Sequence, residues 1–266
     1  MSKLKNCRIV HVGEIILYKE DFDKFHPVIR NAILTFASIG NELNVFSRLL
    51  LLSMTTRPGD PLLLSAAYVQ ESVISRTLSS KVYEGLNALD KFRTAAKVQK
   101  VEMRDRIASC FKEADDLKKD WFYKLTARSR NKITFHYDVS PAQSGYEALR
   151  DGKRLTFVES SNFLTSFYPA AEETIFLEYF QKLLLEDFNR ELTADDRHAW
   201  VMWNVRASMT LQKSFQSIFS AALREHHSDK KFKRRHLHLE PEYSTAEGST
   251  SLPIEVDKAS FKPPEV

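Results

Sequence analysis

The stretch LLLSAAYVQESVISRTLSSKVYEGLNALDKFRTAAKV, residues 62–98, decides the fold. Leu62, Ala66, Val69 and Val73 step by four, three and four, and Val82, Leu86 and Leu89 then step by four and three. That spacing draws an apolar stripe down one side of an α-helix, and such a stripe must be covered by another helix. Upstream, Pro58-Gly59-Asp60-Pro61 separates this helix from another over about 21–56. Proline cannot continue a helix and glycine relaxes the turn. Ile29, Ile33, Phe36, Leu43, Phe46 and Leu50 mark the inner face of that earlier helix, and Asp21 and Asp23 favour its N-terminal end. Downstream, Ile107, Phe111, Ala114, Leu117, Trp121 and Leu125 predict a third helix from about 101, with a pattern that continues through Arg130 to Tyr137. Trp121, Trp200 and Trp203 fall at helical spacings and read as core.

Beyond that helix the pattern changes. Ser140-Pro141 reads as a helix stop. Arg150-Asp151-Gly152-Lys153 is a turn signal, followed by Leu155, Phe157 and Val158, so a small hairpin is expected in an insertion over about 139–165. Helices resume near 171–189, on Ile175, Tyr179 and Leu183, and near 194–227, with Thr193 or Asp195 as cap. The apolar runs Ile9–Val12 and Ile15–Tyr18 suit a strand or packing arm over 1–19. From Ser228 the chain turns basic (Lys230, Lys231, Lys233, Arg234, Arg235), then rich in Pro, Ser, Thr and Glu without a period, so 228–266 reads as a flexible tail. The fold class is therefore all-α: a helical domain over 20–227 with a small inserted hairpin.

Composition narrows the function. Of 266 residues 43% are hydrophobic, enough for a sizeable core. Only 7 are glycine, where average usage would give roughly 19. No Gly-rich phosphate loop is present. The net charge of +4 permits nucleic-acid binding without requiring it. Cys7 and Cys110 form neither a CxxC pair nor a disulfide framework. His226, His227, His236 and His238 have no Cys, Asp or Glu at ligand spacing, so neither a metal nor another cofactor is expected. The first residues do not read as a signal peptide, and Leu49–Leu52 is far shorter than the ~20 apolar residues of a membrane span. A cytoplasmic protein with no membrane partner is expected.

The segment Arg130-Asn131-Lys132-Ile133-Thr134-Phe135-His136 carries chemistry. Histidine titrates near neutral pH and can give or take a proton. Arginine presents a charged fork of donors that fits phosphate oxygens. The two suffice for RNA cleavage without metal: the histidine would deprotonate a ribose 2′-hydroxyl or protonate the leaving 5′-oxygen, and the arginine would stabilise charge on the phosphorus. Arg128 and Lys132 add positive charge and are the expected RNA contacts.

This segment resembles the signature of HEPN-domain proteins: an arginine, a polar residue, several further residues, then histidine. The resemblance covers these seven residues and the helical layout over roughly 20–225. It implies a HEPN-like helical bundle. Many members are RNA-cleaving toxins or antiphage abortive-infection proteins, some of them held by an antitoxin, and they commonly dimerise around a composite site. Arg130 would contact the scissile phosphate, His136 would be the acid or base, and Asn131 would orient one of them or bind substrate. An acidic or amide residue from an earlier helix is used by some members; Glu42, Asn44 and Glu71 are the candidates. On a straight helix, residues six apart differ by about 240° and about 9 Å of rise. Arg130 and His136 therefore meet only if the arginine reaches across, the helix bends, or two subunits share the site. Read without the resemblance, His136 is a packed residue and Arg130 a cation favoured by a helix C-terminus. The chain is then a non-catalytic RNA- or protein-binding module.

Overall fold

The computed structural model describes residues 8–55, 58–99, 105–131, 139–158, 166–191, 193–230 and 232–239, with side chains omitted at some of them, among them 8–11 and 237–239. The fold is all-α; among the described residues the exceptions are a two-stranded sheet and an isolated bridge. In order it forms β1 (Arg8–Glu14), α1 (Lys19–Phe22), α2 (Pro27–Thr55), α3 (Pro61–Val98), α4 (Asp105–Lys119), α5 (Trp121–Ser129), α6 (Val139–Ala148), α7 (Pro169–Ala171), a π-helical segment (Glu172–Glu178), α8 (Tyr179–Phe188), α9 (Ala194–His226) and β2 (Lys233–Leu239).

Helix ends follow local chemistry. The Asp60 carboxylate accepts from the Leu62 and Leu63 amides at 2.8 and 3.1 Å, with Pro61 at the first helical position. Thr193 caps α9: its hydroxyl accepts from the Asp196 amide at 3.1 Å while the Asp196 carboxylate accepts from the Thr193 amide at 3.2 Å. Asp195 is not the cap. Asn189, left-handed at φ 49°, ends α8.

Four local expectations are corrected. The helix expected from 21 starts at Pro27, after the short α1; Asp21 is buried instead of capping it. The third helix breaks at Asp120, whose carboxylate accepts from the Phe122 amide at 3.1 Å and so starts α5 afresh. Pro141 opens a helix instead of ending one, since it lies in the first turn of α6, where a missing N–H costs nothing. And Lys233–Leu239, inside the stretch expected to be a flexible tail, is strand β2; residues 240–266 lie outside the described residues. The turn Arg150–Lys153 does form, with Gly152 at φ 77° and the Lys153 amide donating to the Arg150 carbonyl at 3.1 Å. Of the expected hairpin, the described residues show an antiparallel bridge from Val158 to Phe167, and 159–165 lie outside the described residues.

The chain divides into two compact units. The first draws on Met1–Glu42, Glu84–Asp116 and Met209–Thr250. Phe36 stacks on Phe215 with centroids 4.4 Å apart and meets Phe92 edge-on at 5.7 Å, while Leu86, Leu89, Leu211 and Ile218 are fully buried. β1 pairs antiparallel with β2, from Arg8 opposite Leu239 to Glu14 opposite Lys233. The second unit draws on Leu43–Tyr83, Leu117–Ser208 and Ser251–Val266. There Phe176 stacks on Phe180 at 5.3 Å and Phe180 packs on Trp200 at 5.8 Å. α6 packs on the π-helical segment and on α8. Arg76 pairs with Glu172 at 3.0 Å, and the Ser72 hydroxyl donates to the same carboxylate at 2.6 Å.

Candidate functional site

The candidate site is the end of α5, in the second unit. α5 is held from several sides. Leu125, Thr126 and Ser129 face inward and are fully buried. The Trp200 indole N–H, from α9, donates to the Thr126 hydroxyl at 2.9 Å. The bond satisfies a buried indole N–H and ties the inner face of α5 to α9. At the start of α5, Arg190 lies over the half-buried Trp121 ring at 4.6 Å, and Arg206 approaches the capping Asp120 at 3.6 Å. Trp200 and Trp203 are core as expected, whereas Trp121 is a half-buried platform for that arginine.

Beyond Ser129 the α-helix gives way to π-helical backbone at Arg130 and Asn131, the last described residues before 139. π-helical backbone is wider than α-helix and recurs at functional sites. The Arg130 guanidinium donates through Nη1 to the Asn131 side-chain oxygen at 3.0 Å. Arg130 is half-buried and Asn131 exposed. Two of the expected site residues are thus neighbours in a direct hydrogen bond. Arg128, one of the expected RNA contacts, makes a two-pronged ion pair with Asp187 of α8, at 2.7 Å from Nε and 2.9 Å from Nη2. Its charge is committed to a carboxylate and its role in this geometry is to tie α5 to α8. Lys132 and His136 lie outside the described residues. Of the candidates on earlier helices, Asn44 is exposed and Glu71 half-buried, both in the second unit, while Glu42 belongs to the first.

Sequence reasoning passed over Asp187 and Thr126. Both act through partners distant in sequence, Arg128 for Asp187 and Trp200 for Thr126, and so left no local signal. It also passed over a cluster in the first unit. The Asp21 carboxylate there accepts from Lys230 and from the Tyr18 amide at 3.0 Å, with Lys24 at 3.7 Å. The hydrogen bond from Lys230, with help from the Tyr18 amide, holds its carboxyl down to about 2. His227, fully buried, donates through Nε2 to the Asp21 carbonyl at 2.9 Å, and Phe25 meets the rings of His226 and His227 edge-on. A carbonyl can only accept, so this bond fixes a proton on Nε2. The cluster fastens α1 to the end of α9.

Among the described residues, no helix is long and apolar enough to cross a membrane. No protein-family model matches the sequence, and comparison with curated proteins and with solved structures returns no match.

Proposed function

We propose that this chain is a metal-independent endoribonuclease of the HEPN type, acting as a homodimer in which Arg130 and His136 cleave RNA. Such an enzyme would serve as a toxin or antiphage effector, held in check by an antitoxin partner. The observation that carries the reading is the Arg130–Asn131 hydrogen bond on the π-helical backbone that follows α5. The hydrogen bond to Asn131 sets the direction of the Arg130 guanidinium, whose fork of donors fits phosphate oxygens, whereas Arg128 is matched by Asp187. In the reaction the ribose 2′-oxygen attacks phosphorus as its proton leaves, the bond to the 5′-oxygen breaks, and that oxygen takes up a proton. His136 serves one of these transfers. Arg130 stabilises the charge that builds on the phosphoryl oxygens, and Asn131 fixes the angle of its guanidinium. The products carry 2′,3′-cyclic phosphate and 5′-hydroxyl ends.

A second reading has its own observation. Lys233, Arg234 and Arg235 are exposed on β2, in the first unit, and Arg235 meets the Glu14 carboxylate at 2.9 Å. A basic strand favours a module that binds RNA without cutting it. Growth and total RNA after induction separate the two. Wild type should arrest growth and fragment RNA, while Arg130→Ala and His136→Ala, folded by circular dichroism, should do neither. If all three behave alike, the binding module is the correct reading.

A further inference from the structure

The two strands bring together histidines that the sequence keeps far apart. In the β1–β2 ladder His11 stands directly opposite His236, and Ile9 opposite His238. Directly paired residues lie on the same face of a two-stranded ribbon, and residues two apart along a strand share a face. One face therefore carries Ile9, His11 and Gly13 of β1 with Arg234, His236 and His238 of β2. The other carries Arg8, Val10, Val12, Leu237 and Leu239 together with the Glu14–Arg235 pair and Lys233. The three histidines thus share one face, with Ile9 beside them, while Val10, Val12, Leu237 and Leu239 take the other.

We propose that His11, His236 and His238 form a binding site for a divalent transition-metal ion of the zinc class. Paired residues across an antiparallel ladder are about 4.5–5.5 Å apart at Cα. Residues two apart on one strand are separated by about 7 Å, and diagonal neighbours by about 7–8 Å. Three histidines, two at alternate positions of one strand and one on its neighbour, thus form a compact triangle. Three imidazoles are a complete protein donor set for zinc, with water or another donor in the fourth position. Imidazole also suits nickel, cobalt and copper. Gly13 and the exposed Arg234 occupy the next rung of that face, beyond the His11–His236 pair from His238. Among the side chains that are described, no cluster of three His, Cys, Asp or Glu is arranged for a metal; the present triad comes from strand register. The ion would staple β1 to β2, and the site is independent of the RNA-cleaving reading because it lies in the other unit from Arg130.

The test uses the untagged full chain, stripped with chelator and dialysed. Zinc is titrated by calorimetry, and cobalt is used for its visible absorption, which reports coordination number. Wild type should bind one ion per chain. His11→Ala, His236→Ala and His238→Ala should each weaken binding by about tenfold or more, and His198→Ala, exposed on α9, should not. His236→Gln replaces the alanine variant if the latter alters the far-ultraviolet spectrum. Zinc should also raise the thermal midpoint of wild type and not of the variants. No zinc binding at micromolar concentration overturns the proposal. So does binding that survives all three substitutions, or that His198→Ala weakens equally.

Discussion

Gly145→Ala is the substitution for which the packing makes the sharpest demand. Gly145 lies in α6, where that helix crosses the π-helical segment. A Cβ built there would fall inside the Thr174 carbonyl oxygen, and would sit 2.8 Å from the carbonyl carbon and 3.4 Å from Thr174 Cγ2. The obstacle is backbone, so no rotamer change relieves it. Alanine gains about 1 kcal/mol over glycine in a helix interior. Overpacking costs about 1–3 kcal/mol, and a backbone clash belongs at the upper end. The net loss is about 2 kcal/mol, or roughly 4–8 °C in thermal midpoint for a chain of this size. Gly40→Ala is the matched control. It lies inside α2, and its Cβ would make an ordinary contact, 3.8 Å from Phe215 Cδ2. The same chemical change there should raise the midpoint by roughly 2–4 °C, through the helix-propensity gain of about 1 kcal/mol. Thermal unfolding followed by circular dichroism reads both. A Gly145→Ala protein that melts with or above wild type would refute the packing of α6 on the π-helical segment.

Trp200→Phe removes the indole N–H that Thr126 accepts, and Thr126→Val removes the acceptor; each should cost about 1–2 kcal/mol in urea unfolding, with the double variant costing clearly less than the sum. Equal additivity would show that the bond contributes nothing to holding α5. Acid should act through Asp21. Its carboxyl is held at about 2 in the folded chain against an ordinary value of 3.8, so it adds stability that is fully present above about pH 4 and is lost as pH falls towards 2. Lys230→Met removes the chief cause, and stability measured from pH 5 to 2 should then fall less steeply than in wild type; an unchanged slope would rule out the ion pair as its source.

Much of the helical layout was legible because its signals are local. Asp60-Pro61 and Thr193 with Asp196 are caps written within four residues, and the apolar steps of α2 and of Val82–Leu89 are long enough to average out noise. Other expectations slipped where two stripes compete. Ile175 and Tyr179 were expected inside, yet Phe176, Phe180 and Leu184 are the buried set, since both faces are apolar and the π-helical segment changes the pitch. Leu62 and Val73 are exposed although they fit the stripe of α3; its buried residues there include Ala66, Leu78, Ser79 and Ser80. Small residues allow close helix packing but carry little hydrophobic signal. β2 was hidden because Lys233, Arg234 and Arg235 read as solvated charge, and strand pairing with Arg8–Glu14 is a long-range event with no local trace. The motif was legible as chemistry, but the Arg128–Asp187 pair was not, because it joins residues brought together only by packing.

The most direct measurement of the central claim is cleavage of RNA by purified protein in excess chelator, with the fragment ends identified. The account predicts that wild type yields 2′,3′-cyclic phosphate and 5′-hydroxyl ends, and that Arg130→Ala and His136→Ala, equally folded, lose activity by about a hundredfold or more. Cleavage that continues in both variants, or that stops in wild type when the chelator is added, would contradict it.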